Sequence, residues 1–177
     1  MTPLSRLLLL PVVTMTVCAP AQATVYMTVA QAQKAMIGDR PVTPVPIVLT
    51  PEQTLAVERD TGTRLVDGTL RAWKSDDEYF FVDAVIGKHD LITYAATIGS
   101  DGKLRKVEIL EYREAYGSEV HNPRWLAQFT GHQHGDTLRV GEGIQNISGA
   151  TLSCQHLTEG IRRLLSIYAN VLKPANG

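Results

Sequence analysis

Ser148-Gly149-Ala150-Thr151, followed at once by Leu152-Ser153-Cys154, places hydroxyls and small residues at the head of the most amphipathic stretch of the chain. Glycine and alanine let the backbone turn tightly there and let a bulky group approach closely. A hydroxyl at a helix start can cap it, and the same terminus attracts anions through its unpaired N–H groups and the helix dipole. Two readings stay open on these residues alone, an ordinary N-cap or a seat for a phosphate. His132, His134 and Asp136, with His121 nearby, are donor types that bind zinc or copper. In a glycine-rich loop, however, His-x-His is more often a solvated turn, and short motifs overpredict. No G-x-S-x-G elbow and no Walker or Rossmann glycine pattern occurs, which argues against a hydrolytic triad and a conventional nucleotide cradle.

The elements that must position these groups read as α+β. Thr28 caps a helix over 28–37 that Gly38 stops, and Pro41, Pro44 and Pro46 make the next stretch an extended connector or edge segment. Thr50-Pro51-Glu52-Gln53 is a capping box with proline at the first helical position, opening a short helix that ends near Gly62. From Thr69 the period changes to two, giving strands over 69–74, 79–86, 89–98 and 104–112 with turns at 75–78 and 100–103. On the last of these strands Val107, Ile109 and Glu111 share one face; Lys106, Glu108 and Leu110 share the other. A short helix follows Asn122-Pro123, carrying Trp125 and Phe129, and Leu138-Arg139-Val140 is a brief strand. The final helix spans about 152–172, with Leu157, Ile161, Leu164, Leu165, Tyr168 and Leu172 on one face and Arg162, Arg163 and Asn170 opposite. The expected fold is an antiparallel sheet packed against a long C-terminal helix and shorter N-terminal helices.

At 177 residues, 44% hydrophobic and 20% charged with a formal net charge of -1, the chain has the composition of one globular domain and lacks the basic character of a nucleic-acid binder. Arg6, the apolar run 7–13 and the small-x-small site Ala21-Gln22-Ala23 predict a signal peptide over 1–23, with an uncleaved anchor as the alternative. The expected organisation is then N-terminal helices and connector over 24–68 and a sheet-and-helix domain over 69–177. The expected location is periplasmic or otherwise extracytoplasmic, with membrane association open. Cys18 is lost with the signal, leaving Cys154 alone and without an intramolecular disulfide partner.

The run Asn146-Ile147-Ser148-Gly149-Ala150-Thr151-Leu152-Ser153 ahead of a long helix resembles the FMN-binding domain family. That family includes the flavin-bearing subunits of sodium-pumping NADH:quinone oxidoreductase and of Rnf-type complexes. Glu111-Tyr112-Arg113-Glu114-Ala115-Tyr116-Gly117 and the terminal helix extend the resemblance over roughly 86–172, and Arg124 to Phe129 resembles the small soluble members. The resemblance implies FMN as cofactor, esterified through its phosphate to the last threonine of a D-x-x-[S/T]-G-A-T motif by a periplasmic flavin transferase. Carried over, Thr151 is the acceptor, Ser148, Gly149 and Ala150 shape the site, and the N–H groups of Ser153 and Cys154 bond the phosphate. Glu114, Tyr116, Gly117 and Trp125 complete the implied cofactor-binding set, with Trp125, Tyr116 and Tyr112 as candidates for ring stacking or for the core. The implied role is an electron carrier served by a membrane-bound oxidoreductase rather than a stand-alone enzyme. Gln145 stands where the motif has aspartate, which keeps two alternatives open: non-covalent FMN, and a periplasmic binding or assembly module without flavin.

Overall fold

The computed structural model describes residues 23–63, 70–114 and 116–173; the predicted signal peptide lies almost wholly outside them. The N-terminal helix α1 (Val29–Ile37) and the helix α2 (Pro51–Thr61) each begin with a complete capping box, Thr28 with Gln31 and Thr50 with Gln53. Gly62 closes α2 in the left-handed conformation at φ 72°. Among the described residues no helix is long and apolar enough to cross a membrane.

Six strands form one antiparallel sheet: β1 (Thr24–Val25), β2 (Thr43–Val45), β3 (Arg71–Ser75), β4 (Glu78–Ile86), β5 (Leu91–Gly99) and β6 (Leu104–Tyr112). Their order is β1-β6-β5-β4-β3-β2, so the hairpin sequence β3 to β6 runs straight across and the N-terminal segments close both edges. The architecture is therefore α+β, as the periodicity predicts.

Both faces of the sheet are buried. On one face Phe80, Val82, Ala95 and Leu110 pack with Ala32 and Ile37 of α1. On the other, Phe81, Val85, Tyr94, Val107 and Ile109 pack against the C-terminal helix α4 (Thr151–Ile167), which continues into a π-helical turn at Tyr168–Leu172. Leu157, Ile161, Leu164 and Leu165 supply its apolar stripe.

Two details depart from simple periodicity. In β6 the register slips at Arg105 and Leu110, where Ile98 pairs with Leu104 but Thr97 with Lys106, and Tyr94 pairs with Ile109 but Thr93 with Glu111. Each extra residue is a bulge that reverses the alternation, so Tyr112 rather than Glu111 joins Val107 and Ile109 on the α4 face. The carbonyl of Leu110 is taken instead by the N–H of Tyr26 at 2.9 Å.

Arg163, expected on the solvent face of the last helix, is buried. Its guanidinium meets the buried carboxylate of Asp83 at 2.5 Å and the Ala84 carbonyl at 3.1 Å, and the Tyr94 hydroxyl donates to the same carboxylate at 3.2 Å. Gly160 lets α4 come this close, because a Cβ there would lie 2.6 Å from Val85 Cγ1 and 2.7 Å from the Tyr94 hydroxyl.

Candidate functional site

The short helix α3 (Pro123–Leu126), the end of β6 and the two-residue strands β7 (Arg139–Val140) and β8 (Gly143–Ile144) converge on the start of α4. The residues leading into α4 are fixed by their backbone. The Trp125 indole donates to the Gln145 carbonyl at 2.6 Å, and the Gln145 N–H donates to the Gln128 amide oxygen at 2.8 Å. A β-turn follows, with the Ala150 N–H bonded to the Ile147 carbonyl at 3.0 Å and Gly149 at φ 87°, the glycine position of a type II turn.

The helix then opens without a cap. Its N-cap residue is Ala150 and no side chain bonds the first turn, in contrast to the complete boxes on α1 and α2. The hydroxyl-cap reading of this run therefore does not describe it. The Cys154 N–H is already taken by the Ala150 carbonyl at 2.9 Å, so the unpaired donors are those of Thr151, Leu152 and Ser153. Cys154 itself is fully buried, and burial pushes its thiol pKa up. The Thr151 hydroxyl oxygen accepts from the Asn146 amide at 3.1 Å.

This helix start borders an open pocket of about 340 Å³ lined by Lys88, His89, Glu114, Tyr116, Gly149, Ala150, Thr151, Leu152 and Ser153. Its size is at the lower end of about 300–1,000 Å³ for small-molecule sites. Tyr116 is 86% exposed and Leu152 is 42% exposed, so its rim offers apolar surface to a planar ligand.

Tyr112 ties the far wall to the helix. Its hydroxyl donates to the Tyr116 carbonyl at 2.5 Å and lies 2.9 Å from the Ser153 hydroxyl, and burial raises its pKa. Gly117, at φ 91°, admits this contact: a Cβ there would be 2.6 Å from the Tyr112 hydroxyl and 2.8 Å from Ser153 Oγ. Glu114 crosses under the β4–β5 turn and accepts the N–H groups of His89 and, at 2.9 Å, Asp90. Partial burial opposes its ionisation, but these N–H groups outweigh that and hold its pKa below the usual carboxylate value.

Of the residues that the sequence singles out, Thr151, Gly149, Ala150, Ser153, Glu114 and Tyr116 line the pocket together. Ser148 is exposed on the turn before the helix, and Gly117 lies behind the wall under Tyr112. Trp125 is buried edge-on against Phe129, 5.2 Å between ring centres, and reaches the site through its bond to Gln145. Sequence reasoning passed over Lys88 and His89, which sit in a turn whose spacing carries no motif. The histidine cluster disperses. His132 bonds Asp136 at 3.1 Å, His134 bonds Asp60 at 2.9 Å, and His121 stacks on Tyr26 at 3.8 Å. Among the described residues no three His, Cys, Asp or Glu side chains gather as a metal site.

Residues 87–166, from the β4–β5 turn to the end of α4, match the FMN-binding domain family. FMN is accordingly its cofactor. No curated protein matches the chain. The pocket's groups suit that cofactor. Three unpaired N–H groups stand at the helix start, the Lys88 ammonium and the His89 imidazole line the same pocket, and among the described lining residues the one carboxylate, Glu114, accepts backbone N–H groups. When bound, FMN supplies one- or two-electron transfer.

Proposed function

We propose that the protein is an exported electron carrier whose FMN is esterified through its phosphate to Thr151. The observation that carries this reading is the position of Thr151. It is the first residue of an uncapped helix, it borders the pocket, and its hydroxyl oxygen accepts from Asn146. That bond leaves the hydroxyl proton uncommitted. A phosphate monoester does not condense with an alcohol unaided in water, so the donor must hold the flavin phosphate in a pyrophosphate link, as a flavin dinucleotide does. Thr151 Oγ attacks that phosphorus, the P–O bond of the pyrophosphate breaks, and the threonine proton leaves with the nucleoside monophosphate. The N–H groups of Leu152 and Ser153 then lie where the helix dipole favours the diester's negative charge.

The enzyme that catalyses the step is a periplasmic flavin transferase, and a membrane-bound oxidoreductase exchanges electrons with the ring. The motif's aspartate is replaced by Gln145, whose backbone is what anchors the loop, through Trp125 and Gln128. On this reading the loop keeps its shape without the acidic side chain. Co-expression with a flavin transferase should give a chain that fluoresces as flavin on a denaturing gel, and Thr151→Val should not fluoresce. A wild-type chain that loses all its flavin on denaturation, beside a labelled control substrate, would favour non-covalent binding instead.

A further inference from the structure

We propose that Lys88 and His89, on the β4–β5 turn, are the residues that select a phosphorylated flavin, and that Glu114 positions them. The inference rests on the reading that this pocket holds FMN by its phosphate.

The turn is built to stay in one place. Its own closing bond runs from the Gly87 N–H to the Asp90 carbonyl at 2.8 Å. From the helix side, the His156 ring nitrogen bonds the Gly87 carbonyl at 2.8 Å, which fixes the turn alongside the first turns of α4. From the sheet side, the Glu114 carboxylate takes the N–H groups of His89 and Asp90. Gly87 makes room for that carboxylate, because a Cβ there would lie 2.6 Å from Glu114 Oε1. Helix α4 and the segment after β6 thus both hold a four-residue turn that carries no core side chain.

What the anchoring achieves is placement of Lys88 and His89 in the same lining as Thr151. Both side chains are exposed and, among the described residues, neither makes a salt bridge, while Glu114 is engaged by backbone N–H groups. A lysine ammonium facing a positive helix start is repelled by it when no anion lies between them. An anionic group at Thr151 turns that repulsion into attraction from both sides. A neutral flavin lacking the phosphate gains nothing from it.

The test uses the full chain carrying Thr151→Val, which removes the ester and leaves reversible binding, titrated with FMN and with riboflavin by flavin fluorescence. Lys88→Ala should weaken FMN roughly tenfold, the size of one charge-assisted hydrogen bond, with riboflavin unchanged. Lys88→Arg should restore most of the loss. His89→Ala should show a smaller FMN-selective loss, and Glu114→Ala should reproduce the selective loss although its carboxylate touches the turn's N–H groups. An FMN-to-riboflavin affinity ratio that Lys88→Ala leaves unchanged overturns the proposal. If the wild-type chain still takes up FMN in that case, the assignment of the pocket survives. A parent that binds neither flavin overturns the proposal, and a wild-type chain that also takes up no flavin beside the transferase overturns the reading it rests on.

Discussion

The Tyr112 hydroxyl donates to the Tyr116 carbonyl and sits 2.9 Å from Ser153 Oγ, so the end of β6 is joined to the first turn of α4 through one phenol. With its single proton committed to Tyr116, the phenol oxygen accepts from Ser153. Ser153 is thereby oriented by the sheet. Tyr112→Phe should cost about 1–3 kcal/mol in urea unfolding, because the buried Ser153 hydroxyl and the Tyr116 carbonyl lose their partner. It should also release the Tyr116 segment, seen as faster amide exchange at 116–117. Gly117→Ala should cost at least as much, since its Cβ collides with both hydroxyls and its φ of 91° is one that L side chains rarely adopt.

Asn146→Ala tests the acceptor hydroxyl from the other side. The amide that bonds Thr151 Oγ1 at 3.1 Å is on an exposed loop, so its loss should scarcely alter stability. Flavinylation in the presence of the transferase should slow, because Thr151 then samples other rotamers. In-gel fluorescence against time measures it. An unchanged rate would show that the transferase alone sets the geometry.

The buried pair of Arg163 and Asp83 predicts an asymmetric stability effect. Arg163→Met removes the guanidinium that faces the buried Asp83 carboxylate, and should destabilise by about 3–5 kcal/mol. Replacing both partners, Asp83→Leu with Arg163→Met, should recover much of that loss in denaturant unfolding, as paired apolar replacements do. A double variant whose loss equals the sum of the two single losses would mean that the pair is not coupled.

Asp60 links α2 to α4 and to the 132–136 loop. Its carboxylate accepts from Ser166 at 2.8 Å, His134 at 2.9 Å and Asn170 at 3.2 Å. The Ser166 bond, followed by the pairing with His134 and Asn170 against a small burial penalty, lowers its pKa from an ordinary 3.8. A carboxylate lowered on folding stabilises the fold above its unfolded pKa, and this contribution fades as pH falls from 3.8 through the lowered folded value. Asp60→Asn should therefore flatten the acid limb of a stability-against-pH curve in that window. A curve that keeps its full slope would assign acid sensitivity to other carboxylates.

Much of the scaffold was legible because its signals are local. Thr28 with Gln31 and Thr50 with Gln53 are capping boxes in the sequence and in the structure. The period-two runs give β3 to β6 within a residue or two. What escaped depends on partners distant in the chain. A bulge at Leu110 is invisible to periodicity, since it depends on pairing with β5 and on the N–H of Tyr26, and it is what turns Tyr112 toward Ser153. Arg163 read as a solvent-facing charge because its buried partner, Asp83, lies on β4. The hydroxyl run lies at the start of α4, whereas Lys88 and His89, which line the same pocket, sit in a turn that no short pattern announces.

The central claim is a phosphodiester bond between FMN and Thr151. Intact-mass and peptide mass spectrometry of the chain, exported beside a flavin transferase that modifies a control substrate, tests it most directly. The account predicts an added mass of one FMN less one water, located on Thr151 and absent from Thr151→Val. A wild-type chain at its unmodified mass, or an increment on another residue, would contradict it.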